Sequence, residues 1–314
     1  MATTTGDPGL SIRSLQGSAR RRRKEGVVRY LLLGAAAASM VVSLLIVVAL
    51  IQETVVFLAN VDIGSLWSGG WFPRRGEFDI MTIFIGTMLV SVIAMLIAGP
   101  LGLGAAMYLS EYASPKTRRK LKPILETLAG IPSVVLGYFA LQVINPSLVR
   151  PLFGTTSTFT IMAAGIGVGI LTIPLVASVA EDAMYAVPRA LREAAYGIGA
   201  RRRTVTTKVV FPAAVSGIVA SLILGFSRAV GETMVVAIAA GATSGATRHW
   251  NPLEPGQTMT GAISSLAIGS DQVKSTTGVN PFDSLFFVGL LLFVITLALN
   301  LLSERFVRRV RRDY

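Results

Sequence analysis

"EAAYGIGARRRTVTTKVVFPAA", running from Glu193 to Ala214, separates two apolar runs of a 314-residue chain. Pro188, just before it, suits the first turn of a short helix, where its missing N–H has no partner to lose. Glu193, Ala194 and Ala195 then lie on that helix, and Gly197 and Gly199 end it. Glycine permits the left-handed turn from which a second helix can leave. Ala200 to Val210 supply that second helix, which leads through Pro212 into the next apolar run. The product is an angled helix-turn-helix, slim because of its alanines and positive because of Arg201, Arg202, Arg203 and Lys208. Such a device fits a groove on an acidic partner. A plain basic connecting loop would carry similar charges, so these residues alone leave both readings open.

Composition says where the loop sits. Hydrophobic residues make up 52% of the chain and charged residues 15%, with a mean hydropathy of +0.64. A soluble domain carries about a quarter charged residues. The apolar residues also cluster in runs long enough to cross a bilayer, so the chain reads as an all-α integral membrane protein. There is no cysteine, which excludes disulfides, a thiol nucleophile and thiolate metal sites. The only histidine, His249, argues against a histidine metal centre, and no metal site is expected.

Six spanning helices are expected: Tyr30 to Ile51 or beyond, Ile80 to Leu109, Pro123 to Ile144, Thr158 to Ala180, Phe211 to Ala240, and Leu285 to Leu302. Met259 to Ile268 is too short to cross and reads as an interfacial or re-entrant helix. Residues 1–26, polar and Arg-rich, read as a disordered tail, and 27–314 as the membrane domain. The N-terminal apolar run is longer than that of a cleaved signal peptide, so a retained anchor is expected.

The net charge of +12 invites a nucleic-acid reading, but the placement of the charges argues against it. Twenty-three of the 29 Lys and Arg fall in the N-terminal tail, the loops after spans two and four, and the C-terminal tail. Arg74, Arg75, Arg150, Arg248 and Lys274 lie on the other side. The positive-inside rule then places both termini in the cytoplasm. All three Trp fall in the outer loops, where the interface suits an indole ring. Glu53 and Glu111 read as solvated span ends, Glu126 as structural and His249 as a loop residue.

The remaining cation, Arg228, lies with Glu232 near the middle of span five. Charges at that depth are costly and often functional. Four residues apart on one helix, the two can pair. They are either a structural ion pair or part of a substrate path. Beside them Ala213, Gly217, Ser221, Gly225, Ala229, Thr233, Ala237 and Gly241 form a stripe of small residues that lets helices approach closely. Gly165 and Gly169 suggest a second such contact. Pro100, Pro132 and Pro174 are candidate kinks.

Glu193-Ala194-Ala195, then Gly199, then Val209-x-Phe211-Pro212 resemble the EAA loop of ABC-importer permeases: E-A-A, three residues, G, nine residues, I-x-L-P. Val replaces Ile and Phe replaces Leu. The resemblance implies the MetI-like permease fold, with a coupling helix in a loop of about 181–212 that docks into a separate ATPase subunit. No phosphate-binding G-x-x-x-x-G-K-[ST] loop is present; "IGSDQVKS" has Ile268 and Val273 where glycines are required. ATP and Mg²⁺ would thus be used by the partner, and this chain would bind no cofactor. "SRAVGETMVV" from Ser227, "GPLGLGAAMYLSEYASP" from Gly99 and "LETLAGIPSVVLGYFAL" from Leu125 resemble the PstC type of phosphate-specific permease. That likeness implies phosphate passage by Arg228 and Glu232. It also implies a PstA-type sister permease, two ATPase subunits and a phosphate-binding protein outside a prokaryotic inner membrane. The alternatives are a permease for sulfate, molybdate or another oxyanion, a proton-coupled transporter relaying through Glu232, and a non-transporting sensor.

Overall fold

The computed structural model describes residues 19–241, 245–268 and 280–310. The first 18 residues of the expected tail lie outside them. Helix α1, Ala19–Asn60, already includes residues 19–26. The chain forms two compact units, residues 1–50 and 51–314. The first is, in its described part, the beginning of α1, basic at its start and apolar after it, with the side chains of residues 24–50 mostly exposed.

The second unit opens with two short strands, β1 (Gly70–Phe72) and β2 (Glu77–Phe78). Helix α2, Ile80–Met107, follows and runs on through a π-helical turn, Tyr108–Tyr112. Asp79 caps it, its carboxylate accepting from the Thr82 amide at 3.0 Å, which satisfies one of the unpaired first-turn donors. Helix α3 is Pro115–Leu128, with Ser114 as its cap. Helix α4, Ser133–Phe153, leaves it at a bend of 83°. Helix α5, Ile161–Tyr185, is capped by Thr160. Next come α6 (Arg189–Gly197), α7 (Arg202–Ala213) and α8 (Val215–Val230), the last two meeting at 72°. Helix α9 is Met234–Ala239, β3 Ala246–Thr247, α10 Met259–Ile268 and α11 Asp283–Val310.

Four helices, α1, α2, α5 and α11, are long and apolar enough to cross a membrane singly. Six spans result if each bent pair counts as one. Two expected spans are not single helices. Pro123 to Ile144 contains the sharp bend between α3 and α4, because Pro132 disfavours helix at the residue before it and ends the run there. Pro100 and Pro174 lie inside unbroken helices. Phe211 to Ala240 is broken twice, at Ala214 and again between Val230 and Met234.

The centre is α2, α5 and α8, packed at small residues. A Cβ on Gly165 or Gly169 of α5 would collide with Ile93 or press on the Ala94 carbonyl of α2. One on Gly217 or Gly225 of α8 would strike Ala183 or Val176 of α5. The small-residue stripe therefore does seat α8, with Ser221 buried between these glycines and Ala229 one turn beyond them, but only as far as Ala229, where the helix is about to end.

At the end away from the Arg-rich loops, β2, β1 and β3 form one antiparallel sheet. Arg248, next to β3, clamps it by donating to Asp79, Nε to Oδ2 at 3.0 Å. Trp71 is fully buried there, edge-on to Phe78. It is a core residue and not the interfacial one expected. Trp67 and Trp250 are exposed. Helix α10 is also buried, at Met259, Ala262 and Leu266. The Met259 amide donates to Thr87 Oγ1 of α2 at 3.0 Å, so this short helix packs into the bundle.

Candidate functional site

Glu193, Ala194 and Ala195 lie on α6, as the spacing requires. Pro188 is its cap and not its first helical residue. Leu191, Arg192 and Ala195 turn inward, while Ala190, Glu193, Ala194 and Gly197 are exposed. Ala190, Ala194 and Gly197 make one slim ridge there, flanked by the exposed Arg189, Glu193 and Tyr196. Gly199 has φ +79° with nothing near the position a Cβ would take. The demand there is for a left-handed backbone, which glycine meets without strain. The Gly199 and Ala200 amides donate to the Tyr196 and Ala195 carbonyls, closing the helix end. Helix α7 starts at Arg202, two residues later than expected, and carries a π-helical turn at Thr206–Val210. Pro212 lies in its last turn, before the bend at Ala214.

What holds α6 in place is a residue outside the motif. Arg192 Nη2 donates to Glu111 Oε1 at 2.9 Å and to the Met184 carbonyl at 2.8 Å; Nη1 donates to the Val187 carbonyl. The Glu111 side chain is 4% exposed, so it is no solvated span end. One guanidinium thus joins the loop helix, the end of α5 and the π turn of α2. A second buried acid, Glu181 of α5, accepts from Arg118 Nε and Lys122 Nζ of α3, each at 2.7 Å. Lys122 also pairs with Asp182. Burial alone would lower the Lys122 pKa, but the hydrogen bonds and charges of Asp182 and Glu181 together outweigh it and hold the ammonium above its ordinary value. Sequence reasoning passed over Glu181 and misread Glu111. The available signal was a pair of acids at the ends of spans that border basic loops.

Arg228 and Glu232 do not share one helix. Arg228 is in the last turn of α8, and Gly231 ends that helix. Glu232 lies in the unwound link to α9, partly buried. Among the described residues no hydrogen bond or ion pair joins the two side chains. Instead Thr260 Oγ1 of α10 donates to the Glu232 carbonyl at 2.7 Å, satisfying a backbone group that the break sets free. Irregular backbone at membrane depth is tolerated where protein or a water-filled path surrounds it.

A bundle closely packed around a broken helix, with a slim loop helix pinned at one end, is the build of a transport permease. The chain belongs to the family of binding-protein-dependent transport system inner membrane components, which it matches over residues 98–312. Phosphate transport system permease protein PstC of Mesorhizobium japonicum is 33% identical over 272 residues, 81% of this chain and 80% of that protein. The probable ABC transporter permease protein YqgH of Bacillus subtilis is 31% identical over 240 residues, 76% and 75% of the two chains. The fold is shared with a bacterial alginate ABC transporter, at a TM-score of 0.62 and 16% identity over 92% of this chain and 98% of that one. Membership implies work alongside a second permease, an ATPase and a binding protein.

Proposed function

We propose that the chain is a transmembrane subunit of an ATP-driven importer of inorganic phosphate. The observation that carries this is its likeness, over about four fifths of its length, to permeases named for phosphate transport. The partners would be a PstA-type sister permease, two ATPase subunits using ATP and Mg²⁺, and an external phosphate-binding protein. This chain would make and break no covalent bond. The ridge of Ala190, Ala194 and Gly197 is slim enough to seat in a cleft of the ATPase, with Glu193 at its edge and Gly199 setting its angle. Closure of the motor would then act through Arg192 on α5 and α2. Phosphate would pass Arg228, whose guanidinium can hold an oxyanion by two parallel hydrogen bonds. Glu232 would compete for that cation, so the anion moves on. The Lys and Arg asymmetry supports an inner-membrane orientation with both termini cytoplasmic.

Two observations test the assembly. The purified complex should contain an ATPase subunit, and single cysteines at Ser68 and Thr156 should react with an impermeant thiol reagent added outside intact cells. Cysteines at Ala190 and Thr207 should stay unlabelled until the cells are opened. Reversed labelling, or a complex without an ATPase, would overturn the reading.

A further inference from the structure

A cavity of about 340 Å³ lies beside the loop helix, away from the break at Glu232. Arg189 of α6 and Arg202 of α7 line it, with Tyr185, Tyr196 and the π-turn residues Ser110 and Glu111. Glu111 is the one acid in that wall, and it is already occupied. Arg192 binds it, and Ser110 Oγ donates to its Oε1 at 2.8 Å. Arg189 and Arg202 are therefore left without a balancing carboxylate in the wall. The Arg202 guanidinium sits 5.2 Å from the centre of the Tyr112 ring. That contact is with an aromatic face and supplies no anionic partner for its N–H donors.

We propose that this cavity is a phosphate-oxyanion site that fixes the angle of the loop. Its two free cations stand on the two arms that meet at Gly199, one on α6 and one on α7. No side chain packs where a Cβ of Gly199 would stand, so the angle between the arms rests on the backbone hydrogen bonds of the Gly199 and Ala200 amides alone. An oxyanion held by both guanidiniums bridges the arms and locks them. If the chain imports phosphate, as proposed above, the site senses product on the release side and slows the motor when phosphate is plentiful. The anion binding itself does not depend on that reading. The phosphate group could be free or carried by a lipid headgroup.

The absence of native cysteine lets spin labels be placed at Ala190→Cys and Thr207→Cys, and the distance across the turn be measured on the full-length purified protein. In a phosphate-free detergent, inorganic phosphate should narrow the distance distribution, and Arg228→Gln should leave that response intact. Arg189→Gln with Arg202→Gln should raise the half-effective concentration about tenfold or more at an unchanged melting temperature. Arg189→Lys with Arg202→Lys should fall between, which guards against a folding artefact. In nanodiscs without free phosphate, narrowing by phosphatidic acid but not by phosphatidylcholine, reduced in the Gln pair, would assign the site to a lipid headgroup. The proposal is overturned if neither source narrows the distribution, if the Gln pair responds like the parent, or if Arg228→Gln abolishes the response. It is also overturned if the Gln pair loses only its hold on the ATPase, since the cavity would then receive an acidic protein side chain.

Discussion

Arg228 ends a helix and Glu232 lies in the link that follows, so neither is held by the other in a fixed pair. This leaves the guanidinium free to take an anion, and the chemistry of that contact can be tested residue by residue. Lysine keeps the charge at 228 but loses the planar fork. With one charge-assisted hydrogen bond lost, Arg228→Lys should cut phosphate uptake roughly ten- to a hundredfold. Arg228→Gln should stop uptake while basal ATP hydrolysis by the complex continues, and Glu232→Gln should slow phosphate release. Failure of Arg228→Gln to assemble at all, with rescue by the double Gln variant, would make the two residues structural. Both residues stand out in the sequence as charges inside an apolar run. Their separation does not, because Thr233 continues the small-residue stripe across the break as if the helix ran on. What fixes the break is the hydroxyl of Thr260, 28 residues on, and no local pattern announces it.

At the scale of elements, the loop is legible because its demands are local: small residues on an outer ridge, and a glycine at positive φ. The ion pairs beneath it join residues 81 and 63 apart in sequence, so hydropathy alone leaves them as ordinary span ends. The bend between α3 and α4 falls at Pro132, a candidate kink in the sequence, although apolar residues continue across it and give no hint of its size. The buried pair of Glu111 and Arg192 has a measurable consequence. Removing one partner strands the other charge, so Glu111→Gln should destabilise the subunit by roughly 3–5 kcal/mol. Glu111→Gln with Arg192→Gln should be less harmful than Glu111→Gln alone. Thermal unfolding of the purified subunit reads both, and equal melting temperatures for parent and Glu111→Gln would show that the contact bears no load.

Across the whole molecule, one end is braced by carboxylates under a basic surface and the other by a small sheet clamped through Asp79 and Arg248. Burial alone would push the Asp79 carboxyl up. Hydrogen bonds from Arg248 and Thr82, with the Arg248 charge, together outweigh burial and hold it below the usual carboxylate range. A carboxyl depressed in the folded state stabilises above its unfolded pKa, about 3.9, and loses that contribution as pH falls further. The sheet end should therefore loosen below about pH 4. Asp79→Asn should lower stability at neutral pH and flatten that dependence, as hydrogen exchange at residues 70–78 would report. A bundle closely packed at α2, α5 and α8, with one slim loop helix pinned to it, makes most sense as a device that passes force from a motor to a path for an anion. Uptake of labelled phosphate by vesicles holding this chain, its sister permease, the ATPase and the binding protein is the direct test. Accumulation should require ATP, resist excess sulfate and molybdate, and vanish in Gly199→Val, whose left-handed turn costs at least about 1–2 kcal/mol, while the ATPase stays bound. Uptake that proceeds without ATP, or that prefers another oxyanion, would contradict the account.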